Sequence, residues 1–125
     1  MKQFKNSDYP PGTIIAAAGT QPRFYEFQMS LETLEVPIGT KLVIERSCDI
    51  TQNFNKGLKK IIGDWALFLG DDHSFAPDFL RRLLNHGVDV VVPITPCKVA
   101  PYLPCVMHGP RDEEEVWHEN MLLYR

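Results

Sequence analysis

The chain has 125 residues, a hydrophobic fraction of 44% and a net charge of −3. That length fits one domain with enough apolar material for a real core. The mildly acidic balance excludes a general nucleic-acid binder, which needs a basic stripe, and no apolar run approaches the ~18 residues of a membrane span.

Residues 1–12 read as a polar leader closed by Pro10-Pro11-Gly12. Thr13-Ile14-Ile15-Ala16-Ala17-Ala18 is the first strand, ended by Gly19-Thr20-Gln21-Pro22. Pro22 suits a helix's first turn, and Phe24, Phe27, Met29, Leu31 and Leu34 follow at roughly helical spacing. Pro37-Ile38-Gly39 breaks that helix, and Lys41-Leu42-Val43-Ile44-Glu45 is the second strand. Asp49 or Thr51 caps a second helix with Phe54, Leu58, Ile61 and Ile62 on one face, stopped by Gly63. Residues 65–69 form a third apolar run. Pro77 and Asp78 open a third helix, whose apolar face is Phe79, Leu80, Leu83 and Leu84 and whose end is Asn85-His86-Gly87. Val88-Asp89-Val90-Val91-Val92 is the expected fourth strand.

Continuous apolar strands alternating with helices predict a Rossmann-like, three-layer α/β/α fold with a mostly parallel sheet. Beyond Pro93 the texture changes. Pro96, Pro101, Pro104 and Pro110 disfavour regular helix, so residues 95–108 read as an extended segment or loop crossing the sheet edge. Asp112-Glu113-Glu114-Glu115 reads as a solvated acidic turn, and residues 116–125 fit a strand or a short helix. Cys48, Cys97 and Cys105 are odd in number and form no Cys-x-x-Cys pair. A disulfide framework or zinc site is therefore not expected, and a reducing compartment fits best. The polar N-terminus does not resemble a signal peptide. A soluble, cytoplasmic protein is the expectation.

In an open parallel sheet, ligands bind beyond the carboxyl ends of the strands. Three such tips should converge here: Gly19-Thr20-Gln21, residues 45–49, and Gly70-Asp71-Asp72-His73. Adjacent carboxylates repel and resist desolvation, so a positive partner belongs beside Asp71 and Asp72. A hard divalent cation, Mg²⁺ or Mn²⁺, is the natural candidate, completed by substrate phosphates. His73 adds a nitrogen ligand that Mn²⁺ tolerates better than Mg²⁺. The structural alternative is a turn with Asp as a helix cap.

These residues resemble a family. "LFLGDDHSFAPDFLRRLL" is similar to the acidic-motif strand and following helix of GT-A-fold glycosyltransferases, most like the family 2 type. "NFNKGLKKIIGDW" resembles that family's Asn-x-Gly helix, "TIIAAAGTQPRF" its first strand and turn, and "VVVPITPCKVAPYLPCVM" its post-motif strand and loop. The likeness spans residues 13–107 and implies a single, truncated GT-A-like nucleotide-sugar-binding domain over residues 1–125, with an irregular Pro-rich and acidic end from 94 to 125. Carried over, Asp72 would be the metal ligand bridging to the donor diphosphate, with Asp71 touching the ribose or the metal shell. Thr20 would line the nucleoside pocket. Glu45 or Arg46 would approach the base or ribose. Asn55 would contact the nucleotide or brace its helix. Gly70 stands where many relatives carry an acidic residue, and Phe54 where an arginine often precedes the asparagine.

The implied activity is metal-dependent transfer of a hexosyl group from a UDP- or GDP-sugar to an acceptor that the residues do not identify. In such transferases a second half carries the acceptor site and catalytic base, and no catalytic base is assigned here. The chain would then be a transferase or its donor-binding half, with a non-catalytic nucleotide or sugar-nucleotide binding module as the alternative. A phosphoacceptor receiver domain ranks below both, because Thr20 and Thr95 stand where it needs an acid and a lysine. An uncovered sheet edge would favour a homodimer.

Overall fold

A computed structural model describes residues 1–4, 9–20 and 24–93. The expected extended segment at 95–108, the acidic turn at 112–115 and the final element at 116–125 lie outside the described residues. Two compact units divide the chain, Met1–Val88 and Asp89–Arg125. Every described helix and strand belongs to the first.

The centre of that unit is β2 (Thr13–Ala18), and each of its six residues is buried. It pairs in parallel with β4 (Lys41–Arg46) on one side and β5 (Ala66–Gly70) on the other. From β2 the chain crosses to β4, then returns past β2 to β5. Right-handed crossovers in opposite directions must place their helices on opposite faces. Alternation along β2 carries out that division. Ile14 and Ala16 join Phe27 and Leu31 of α1 (Tyr25–Thr33) in the main apolar cluster, with Leu69 and Leu80. Ile15 turns to the other face, against Gly57 of α2 (Ile50–Leu58). A side chain at Gly57 would begin 2.3 Å from Ile15 Cγ2, so glycine is what lets helix and strand close up. The result is a small Rossmann-like α/β fold with helices on both faces of a parallel sheet.

Asp49 is the cap that begins α2. Its Oδ1 accepts the backbone N–H of Thr51 at 2.8 Å and of Gln52 at 3.1 Å. Asp49→Ala is expected to cost about 1 kcal/mol, read as a lower urea midpoint with an unchanged slope. The third helix, α3 (Phe79–Leu84), starts after Pro77-Asp78 as expected, and Leu80 is buried. Asp78 pairs with Arg81 at 3.6 Å and Arg82 at 3.5 Å rather than with the helix N–H groups.

The structure corrects several expectations. The polar leader contains a strand, β1 (Lys2–Phe4), paired in parallel with β3 (Glu35–Pro37). Pro37 therefore ends a strand instead of only breaking a helix, a position where its missing N–H matters little. Phe24 and Met29 are exposed, so the buried stripe of α1 is Phe27, Ser30 and Leu31. The inner face of α2 is Asn53 and Gly57, whereas Leu58 and Ile62 are exposed. Residues 88–92 form no strand, and Val88, Val90 and Val92 are 60–79% exposed. Their β-branched composition favours a pleated, half-buried surface, but with no strand paired to them among the described residues, composition alone does not make a strand.

At the opposite end of the sheet, Trp65 donates its indole N–H to Pro10 O at 2.8 Å and packs against Gly12. No helix among the described residues is long and apolar enough to cross a membrane.

Candidate functional site

The three strands of the main sheet end level. Ala18 is opposite Arg46 on one side, and Ala17 is opposite Gly70 on the other. Beyond one last backbone bond, from Ser47 N–H to Ala18 O at 3.3 Å, their following segments are stitched together by side chains. Asp71 Oδ2 accepts the Gly19 N–H at 2.9 Å, joining the β5 tip to the β2 tip. Arg46 donates through Nε to Gly19 O at 3.1 Å and through Nη2 to Thr20 O at 2.6 Å, joining the β4 tip to the same loop. The structure thus brings Thr20, Arg46 and Asp71 together at one edge.

Beneath that edge lies a residue that sequence reasoning passed over. Asn53 is 2% exposed. Its Nδ2 donates to Ala18 O at 3.1 Å and Ser47 O at 3.4 Å, and its Oδ1 accepts from Ser47 Oγ at 2.8 Å. One amide therefore binds α2 to the tips of β2 and β4. Asn55, the expected asparagine, is exposed on α2 and makes none of these bonds. The signal was present in the spacing. Asn53 precedes Gly57 by four residues, so both lie on the helix stripe facing the sheet. Asn53→Ala removes three side-chain bonds, although Ala18 O keeps the Ser47 N–H and Ser47 Oγ keeps Asp49, and should cost about 1–2 kcal/mol in urea unfolding. Asn55→Ala should stay within about 0.5 kcal/mol.

Glu45 is not presented at the edge. Its side chain, largely buried, is ion-paired to Lys60 beyond the C-terminus of α2. It braces helix to strand.

The segment after β5 carries Asp72 and His73. His73 Nδ1 lies 3.1 Å from Asp72 Oδ1 and 3.3 Å from Gly70 O. A ring nitrogen facing two acceptors carries the hydrogen, which makes Nε2 the lone-pair nitrogen of the neutral ring. Gly70 permits this arrangement: a Cβ there would sit 2.9 Å from Asp72 Oδ1 and 3.0 Å from His73 Nδ1. An acidic residue at position 70 would displace both side chains. Further along, the Phe75 N–H donates to Ser30 Oγ at 3.1 Å, and Pro77 O accepts from Glu35 N–H at 2.8 Å. The Phe75 ring meets Phe27 edge-on and stacks on Phe79. The loop is therefore fastened at Asp71 and again from Phe75 onward, and Asp72-His73-Ser74 is the crest between.

Among the described residues, no group of three or more His, Cys, Asp or Glu side chains is placed to enclose a metal ion. The crest offers carboxylate oxygen and one imidazole nitrogen, a partial donor set. The chain matches no protein-family model, no curated protein and no solved structure closely enough to establish kinship.

Proposed function

We propose that this edge binds a nucleoside-diphosphate sugar together with a divalent cation, as the donor site of a GT-A-like glycosyltransferase or of its donor-binding half. The observation that carries the reading is the place of Asp71, Asp72 and His73. They follow the strand next to β2, where crossovers diverge to opposite faces and where open α/β sheets take their ligands. In this reading Asp72 and His73 Nε2 hold the cation, with Asp71 beside them. The incomplete protein donor set suits Mg²⁺ or Mn²⁺, which are commonly held by one or two carboxylates plus substrate phosphates. Such an ion neutralises diphosphate charge and steadies the leaving nucleotide. Thr20 and Arg46 face the nucleotide, while Asp71 holds the Gly19-Thr20 loop in the shape that receives it. Glu45 and Asn53 act behind the edge, as braces. The acceptor and a homodimer across an uncovered sheet edge belong to the same proposal.

Isothermal titration with UDP- and GDP-sugars, with and without Mn²⁺, tests the reading. Binding that requires the metal supports it, and no binding under either condition ends it. Donor binding with neither sugar transfer nor hydrolysis would identify the non-catalytic nucleotide-binding module instead.

A further inference from the structure

We infer that Arg46 is an anion clamp, one edge of whose guanidinium is built to receive a phosphate of the diphosphate group. Nε and Nη2 are both spent on main-chain carbonyls, Gly19 O at 3.1 Å and Thr20 O at 2.6 Å. Those two donors form one side of the planar fork. The other side, made by Nη1 and the second hydrogen of Nη2, bonds no described residue and is left for a ligand, and the residue is exposed. A guanidinium edge of this kind matches the paired oxygens of phosphate or carboxylate. Because the side chain is already pinned, little freedom is lost when an anion arrives.

Charge is the second observation. Lys60 is neutralised by Glu45, and Arg81 and Arg82 share Asp78. Arg46 forms no ion pair with a described carboxylate, and its two partners are neutral carbonyls. The adjacent Glu45 is engaged by Lys60, so it does not oppose an incoming anion. Position supplies the third. Arg46 ends β4 opposite Ala18, beside the loop that Asp71 holds from the other strand. The assignment moves Arg46 from the base or ribose to the diphosphate. It rests on the nucleotide-sugar reading for the identity of the natural anion, but its test does not.

The test is an NMR titration of ¹⁵N-labelled protein with inorganic pyrophosphate in EDTA, which removes metal. Saturable shifts of the Arg46 Nε–H and the Gly19 and Thr20 amides are expected. Arg46→Lys keeps the charge but loses the fork, and should weaken pyrophosphate binding at least about tenfold. Arg46→Gln should weaken it further. Equal affinity in Arg46→Lys overturns the clamp, as do saturable shifts confined to Arg81 and Arg82 or no saturable shift at all. If either variant fails to fold, the Arg46 Nε–H resonance of the unaltered protein decides. Metal-dependent donor binding without a pyrophosphate response removes the clamp and keeps the nucleotide reading. Pyrophosphate binding without donor binding does the reverse.

Discussion

Asp72→Ala is expected to abolish metal-dependent nucleotide binding, by about 100-fold or more, while leaving the urea midpoint nearly unchanged. The reason is the division of labour between neighbours. Asp72 stands on the crest with a side chain 41% exposed and in contact with His73, and ion pairs of such exposed side chains add little to stability. Asp71 is different, because its carboxylate is the acceptor for the Gly19 N–H. Removing a charged partner from such a bond costs about 1.5–3 kcal/mol. Asp71→Ala should therefore lower both stability and nucleotide affinity. Paired titration calorimetry and urea unfolding on the two variants separate the roles. If Asp72→Ala binds donor and metal like the unaltered chain, the proposed cation site is wrong.

A marked loss of stability is expected at Gly57. Alanine is the better helix former by about 1 kcal/mol, so local propensity predicts that Gly57→Ala stabilises. Packing predicts the opposite sign. The new Cβ would lie 2.3 Å from Cγ2 of Ile15, a residue with no exposed surface on a strand paired along both edges. Neither the strand nor the side chain has room to retreat, and overpacking of this kind costs about 1–3 kcal/mol or more. A net loss of about 2 kcal/mol in urea unfolding is expected. Ile15→Ala should cost less in the Gly57→Ala background than alone, since neighbours in contact do not behave additively. A stabilised Gly57→Ala protein would mean that α2 does not approach β2 so closely.

Strands β2, β4 and β5 were legible because each is a short apolar run bounded by glycine, proline or charge, and their parallel arrangement followed from the alternation with helices. The convergence of Thr20, Arg46 and Asp71 followed from that topology. The elements that escaped are those whose partners are distant in the chain. Lys2–Phe4 looks like leader because its strand character comes from pairing with Glu35–Pro37, thirty-odd residues on. Residues 88–92 show the converse, strong local preference with no ladder formed. At the site, Asn55 was chosen by motif, whereas Asn53 does the bonding. Helix periodicity names the second and the motif names the first, and here burial followed periodicity. Glu45 was read from its place at a strand tip, but nothing local to it announced Lys60, fifteen residues away.

The indole of Trp65, wedged between Pro10 and Gly12, has a practical consequence. The chain has two tryptophans, and Trp117→Phe would leave this one as the sole tryptophan, excited selectively over the four tyrosines at the red edge of the absorption band. It stands just before β5, roughly 20 Å along the chain from the carboxylates at the far end. Its emission should redden when the domain melts yet stay constant as ligand is added. A single cuvette measurement would then report foldedness alone, free of interference from whatever occupies the opposite rim.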